Sequence, residues 1–229
     1  SVNQIVTLIV EVFVGLTSGA SVIIAQFYGA KDHKNLNRTL HTAYAFAIVT
    51  GAIVGLIGFW ITEKVLIAMK TPSELMADSV IYLHIYFCGM IFNIVYNMGA
   101  FILRAVGDSR RPLYVLIMIC GLNIFFDIML VVFLKMGVMG VAIATVSCQG
   151  ISACMVTWIL IKGNSLFRLK IREIRFYMAS LQSVLRIGIP AALEATMYTI
   201  ANLIIQIFVN GLGTDTVAAW GTFAKIDAI

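Results

Sequence analysis

The chain has 229 residues, of which 61% are hydrophobic and 12% charged, where soluble domains run to about 45–50% and about 25%. That composition excludes an ordinary soluble globular protein. The net charge of +5 does not point to nucleic acid either, because the sixteen Lys and Arg fall between apolar blocks instead of along one basic face.

Apolar runs of about 20 residues are what a hydrocarbon layer of about 30 Å asks of a helix. The expected fold is therefore all-α, a polytopic transmembrane helical bundle. In chain order the runs predict spans over Val2–Phe27, Arg38–Trp60, Ser79–Leu103, Pro112–Leu134, Val138–Ile161 and Ile187–Asn210. A further apolar stretch from Thr216 stops at Ile229 and carries Lys225 and Asp227, so the chain is expected to end inside a helix. Ser1 is followed by no basic region and cleavage motif, so the chain is also expected to begin within a longer polypeptide.

If the spans alternate, one side of the membrane receives Lys31, Lys34, Arg38, Arg104, Arg110, Arg111, Lys162, Arg168, Lys170, Arg172, Arg175 and Arg186. The other side receives Lys64, Lys70, Lys135 and Lys225. By the positive-inside rule, the loops 31–38, 104–111 and 162–186 are expected to be cytoplasmic, in a cell (inner) membrane. Between the fifth and sixth spans, Phe167, Ile171, Ile174 and Met178 recur at helical spacing beside Arg168, Arg172 and Arg175, which predicts a helix lying at the membrane interface. This longest connection is the expected boundary between two structural halves.

Polar groups inside spans cost about 2.5–3.5 kcal/mol for a charged side chain and mark protein-lined cavities. Asp127 follows Asn123 by four residues, placing a carboxylate and an amide one turn apart on one helix face. They could share an ion or a proton; the bland alternative is an acid that braces helices against a neighbouring Lys or Ser. Glu11 shares a face with Gln4, Thr7 and Ser18, either a pathway lining or polar glue between helices, with Gly15, Ser18 and Gly19 favouring close packing. Tyr86, Asn93 and Asn97 share a face of the third span with Tyr82, as a binding wall or as an aromatic belt with interhelical amides. The fifth span presents Thr145, Cys148, Gln149 and Ser152, and the sixth Glu194, Tyr198, Asn202 and Gln206. The second span, with only Tyr44 and Thr50 as interior polar groups, is expected to face lipid more than the others.

Cys88, Cys120, Cys148 and Cys154 lack metal or disulfide spacing and read as packing residues. His33, His41 and His84 are scattered, which leaves no metal ligand set. No catalytic signature of the common hydrolase, zincin or nucleotide-binding types occurs, so the chain is expected not to be an enzyme and to need no cofactor.

Several runs resemble the multidrug and toxic compound extrusion (MATE) family of secondary transporters. They are Gly15–Gly19 with Ala25–Ala30, Leu103–Ser109 with Pro112, Leu122–Asp127, Gly137–Thr145, and Gly188–Ala192 leading to Gly211 and Val217–Ala219. Gly107-Asp108 with Pro112 also makes physical sense as a tight turn and a helix start, and Pro190 is expected in the first turn of the sixth span.

The resemblance implies two six-helix lobes that open alternately to each side. The six spans would then be helices two to seven. Residues 1–161 would belong to the first lobe, 162–186 to the connector between lobes, and 187–229 to the start of the second. It further implies an antiporter that exports organic compounds, driven by H⁺ or Na⁺, with Asp127, Asn123 and Thr145 as the coupling site. Glu11 and Glu194 are possible additional acidic sites: some members place a coupling glutamate on the seventh helix, though Glu194 lies nearer the cytoplasmic end than that site, and Glu11 is not a usual family feature. Tyr86, Asn93, Asn97, Gln149, Asn202 and Gln206 would line the substrate cavity. The expected partners are membrane lipid, a small organic substrate and the remainder of the same polypeptide, and a 229-residue piece alone is expected to be inactive. The alternatives are a flippase for lipid-linked precursors, which would need a more cationic cavity, and, from another class, a membrane-embedded enzyme or a scaffold.

Overall fold

In a computed structural model of the chain, which describes residues 2–68, 73–163 and 167–211, the apolar runs form α-helices. These are α1 (Val2–Gly29), α2 (His33–Ala68), α3 (Ser73–Cys88), α4 (Met90–Ala105), α5 (Arg110–Asp127), α6 (Gly137–Ile161) and α7 (Met178–Gly211). Five helices are each long and apolar enough to cross a membrane, and α3 with α4 makes a sixth span bent by 47°. The stretch beyond residue 211, including the seventh apolar run, lies outside the described residues.

The bend corrects the single straight third span. It falls at Gly89, where a Cβ would sit 2.6 Å from the side chain of Val146 on α6; the missing side chain lets α6 approach the break. The fourth span is also irregular, since α5 passes after Asp127 into a π-helical turn over Ile128–Phe133. Lys135 and Gly137, at φ 53° and 56°, then reverse the chain into α6.

The turn between α4 and α5 follows the sequence reading. Gly107 adopts φ 87°, Asp108 N donates to Leu103 O, and Pro112 falls in the first turn of α5. At the start of α2, the Asn35 N–H donates to Asp32 Oδ1 at 3.1 Å and Asn35 Nδ2 to Oδ2 at 2.7 Å, a side-chain N-cap. The Asn35 backbone bond, then its side-chain bond, hold the Asp32 carboxyl below the usual aspartate value.

The core lies toward the end of the bundle that carries the basic loops. Leu36 and Leu40 of α2, Ile102 and Leu103 of α4 and Leu160 of α6 are fully buried there. This corrects the lipid-facing second span: the first half of α2, through Leu40, Ala43, Tyr44 and Ala47, is core, and only its second half, with Leu56 and Trp60, is exposed. Tyr44 and Thr157 bond through their hydroxyls, which ties α2 to α6. The least covered spanning helix is α5.

The interfacial helix over 164–180 is also corrected. Residues 167–170 are extended, a single 3₁₀ turn spans Ile171–Glu173, and α7 begins at Met178. Tertiary contacts override the helical spacing here. Phe167 and Leu169 alternate into the core, while Ile171 and Met178 point outward, 66% and 75% exposed. The Lys170 N–H donates to His41 Nε2 at 3.1 Å, and the Tyr177 N–H donates to Thr42 Oγ1 at 3.1 Å. His41 Nδ1 lies 2.7 Å from Asn37 O, and with Nε2 accepting from the Lys170 N–H the ring straps the connector across α2.

Because α7 starts nine residues before Ile187, Pro190 lies inside the helix and not in its first turn. Its missing N–H costs one helical bond. The most extensive packing of α7 is against α1, where Gly15 and Gly19 face Ala192 and Gly188 backbone to backbone. Small residues permit that approach, as expected of helix pairs in lipid.

Candidate functional site

Side chains of three helices line an open cavity of about 340 Å³. Asn93, Tyr96 and Asn97 come from α4, Cys120 and Asn123 from α5, and Thr145, Cys148, Gln149 and Ser152 from α6. Each helix contributes side chains at intervals of three or four, one face apiece. The bend at Gly89 sets the α4 segment that carries Asn93 and Asn97 against α6.

Within the cavity wall the polar groups are partly committed. Asn97 Nδ2 donates to Asn93 Oδ1 at 3.0 Å and to Asn93 O at 2.9 Å. Thr145 Oγ1 donates to Val141 O at 2.9 Å, and Ser152 Oγ to Gln149 O at 2.8 Å. Both hydroxyls thereby spend their proton on the helix and keep their oxygen lone pairs for a ligand. Gln149 Oε1 is buried with no hydrogen-bond partner. The lining contains no cationic side chain.

Asp127 does not itself line the cavity. It sits one turn beyond Asn123, at the junction of α5 and the π-helical turn, with Cys148 of α6 next to both residues. Its Oδ1 is buried and accepts no hydrogen bond, and the ion pairs among the described residues, Arg111–Asp108 and Lys170–Glu173, leave it out. A buried carboxylate oxygen without a donor costs free energy unless a proton or cation supplies the missing interaction. The bracing alternative therefore finds no partner here. π-helical turns frequently accompany such sites, because the extra residue per turn frees backbone groups and re-aims side chains.

The structure thus brings Asn93, Asn97, Asn123, Thr145 and Gln149 together, with Asp127 one turn beyond Asn123, and leaves Glu11 and Glu194 out of the lining. Tyr86 is buried beside Gln149 and stacked on Tyr82, with ring centroids 6.1 Å apart, but it does not line the cavity. Glu11 is half-buried on α1 away from it, and Ser18 bonds within its own helix to Gly15 O. Glu194 is exposed on α7, as is Tyr198. The side chains of Gln4, Thr7, Asn202 and Gln206 lie outside the described residues. Tyr96, Leu116, Ile119 and Cys120 are the lining residues that the sequence reading missed. Stepping back one turn from Asn123 along its own face finds Cys120, and Tyr96 adjoins Asn97.

A family model described as MatE matches residues 1–129. Two curated relatives from Bacillus subtilis (strain 168) are similar over nearly the whole chain. "Probable multidrug resistance protein YoeA" is 29% identical, with 96% of this chain and 49% of the relative aligned. "Probable multidrug resistance protein YpnP" is 29% identical, with 99% and 51% aligned. The chain therefore spans about half the length of the curated relatives it matches. Among solved structures, the "outward-facing conformation of a multidrug resistance MATE family transporter of the MOP superfamily" superposes with a TM-score of 0.90 at 22% identity, over 99% of this chain and 51% of that one. That likeness extends the shared fold beyond residue 129, through α6 and α7. A bundle of six apolar spans with an unpartnered buried carboxylate beside an amide-lined cavity thus meets a matching family model and matching relatives, and the chain belongs to the MATE family of membrane transporters, which are not enzymes.

Proposed function

We propose that the chain is part of a cation- or proton-coupled antiporter that exports organic compounds by alternating access, with Asp127, Asn123 and Thr145 forming the coupling site. The single observation that supports this reading best is the Asp127 carboxylate oxygen, buried between α5 and α6 with no donor. A proton would satisfy it as O–H. Na⁺ would satisfy it with Asn123 and Thr145 oxygens as neutral co-ligands, since hard cations take oxygen donors. Either way, loading the site gives the buried oxygen its missing interaction and favours one conformation. Substrate binding favours the other, so an ion gradient becomes outward drug flux.

The cavity formed by Asn93, Asn97, Asn123 and Gln149 is the substrate site in this reading, with Tyr96 as its aromatic face. Amide oxygens and an aromatic ring suit an organic cation. The lack of any cationic side chain in the lining weighs against the flippase alternative, which has an anionic lipid-linked headgroup to hold. The basic loops gather at one end of the bundle, as the lining of one cavity by Tyr28, Arg110 and Lys162 illustrates; this supports a cytoplasmic placement for that end in a cell membrane.

The test is efflux of a fluorescent organic cation from cells that express the full-length protein. Asp127→Asn keeps the size and removes the titratable charge. Loss of efflux at normal membrane expression supports the reading, and undiminished efflux removes Asp127 from the mechanism.

A further inference from the structure

A second polar cavity, of about 350 Å³, opens at the basic-loop end of the bundle, outside the site described above. Tyr28 at the end of α1, Asp108, Arg110 and Arg111 at the α4–α5 turn, Lys162 at the end of α6 and Phe167 of the connector line it. We propose that this cavity holds the phosphate headgroup of an anionic phospholipid from the adjoining leaflet.

Charge complementarity carries the argument. Three cations meet one carboxylate, and Asp108 is already engaged by Arg111 through Nε–Oδ2 at 3.2 Å. Arg110 and Lys162 have no ionic partner among the described residues. Arg110 and Arg111 occupy the first turn of α5, so the positive end of that helix adds to the same field. A phosphate diester is the anion that a bilayer presents at this depth, and basic pockets between spanning helices on the basic side are suited to it.

The surroundings fit a lipid better than a soluble anion. Lys162 Nζ lies 4.1 Å from the ring centroid of Trp158, and that ring is 58% exposed on the outside of the bundle. Trp and Lys in this arrangement mark the membrane–water boundary. Trp158 also lines an apolar groove of about 490 Å³, together with Ile48, Ile91, Phe92, Val95 and Ile161. Lys162 and Trp158 therefore join a polar cavity for the headgroup to an apolar groove for an acyl chain.

The experiment measures binding of acyl-labelled fluorescent phosphatidylglycerol to the detergent-solubilised full-length protein, with unlabelled phosphatidylglycerol, phosphatidylcholine and inorganic phosphate as competitors. Each basic residue near a bilayer surface is worth roughly fivefold in binding, so phosphatidylglycerol is expected to compete at least about tenfold better than phosphatidylcholine. The double variant Arg110→Gln/Lys162→Gln is expected to lose that preference. Arg110→Lys/Lys162→Arg is expected to keep it, as is Lys64→Gln/Lys135→Gln, the same loss of two charges at the opposite end of the bundle. Equal competition by the two lipids on the unaltered protein overturns the proposal without any variant. So does a preference that survives in the double variant, and displacement by millimolar inorganic phosphate would assign the site to a soluble anion instead.

Discussion

Where α1 crosses α7, the two helices touch through backbone, and replacing Gly19 with alanine puts a methyl group where no space exists. The new Cβ would stand 2.5 Å from Gly188 Cα and 2.8 Å from Val184 O, with Gly188 N nearer still. Carbon contacts settle at roughly 3.5–4.0 Å, so the helices must separate by about 1 Å. That gap also weakens the neighbouring approach of Gly15 to Ala192, since a gap of about 0.5–1 Å forfeits a quarter to a half of each contact's attraction. Overpacking of this kind costs about 1–3 kcal/mol, and the better helix propensity of alanine returns up to about 1 kcal/mol. With that gain taken in full, the net loss is up to about 2 kcal/mol, or a drop in Tm of no more than a few degrees, at roughly 2 °C or less per kcal/mol for a chain longer than about 250 residues. Gly29→Ala meets nothing within 4 Å and serves as the comparison. Thermal stability of the full-length protein in detergent, read by fluorescence-detected gel filtration, checks the difference. A Gly19→Ala protein as stable as Gly29→Ala would refute the close crossing.

Two further substitutions test local features outside the site. Asp32→Ala removes the N-cap of α2. Because the folded carboxyl titrates below its unfolded value, its contribution is present above about pH 4, the ordinary aspartate range, and disappears as the pH falls through the lower folded value. The Tm gap between Asp32→Ala and the parent is therefore expected to be open at pH 7 and to narrow on acidification below about pH 4; a gap independent of pH contradicts the capping role. His41→Phe leaves the Lys170 N–H without its acceptor, at a cost of about 1–3 kcal/mol. Trypsin is then expected to cut faster after Arg168, Lys170 or Arg172, and unchanged cleavage contradicts the strap.

Much of this was legible in the sequence because membrane-spanning helices announce themselves through length and apolarity alone. The same economy explains what was missed. A hydrophobic run does not reveal a bend such as that at Gly89, where α6 approaches through Val146, 57 residues away in sequence. Nor does it reveal the π-helical turn after Asp127. The connector failed for another reason: Phe167, Ile171, Ile174 and Met178 fit a helical stripe, but His41 and Thr42 offered backbone partners that only an extended chain can reach. The spacing of His33, His41 and His84 speaks only to metal ligation, and the acceptor role of His41 toward Lys170 depends on a tertiary contact. Asn123, Asp127 and Thr145 are polar in oily surroundings, and each needs a reason to be there. Tyr86 and Glu11 met the same criterion yet stand apart from the cavity, since helical periodicity fixes a shared face but not which neighbour that face meets.

The central claim is that Asp127 takes up and releases the coupling ion. In proteoliposomes of the purified full-length protein, an outward drug flux would be followed together with the internal pH and the Na⁺ content. The account predicts that adding substrate moves H⁺ or Na⁺ in the opposite direction, and that Asp127→Asn abolishes this counterflow while substrate binding persists. Counterflow of normal size in Asp127→Asn would contradict it.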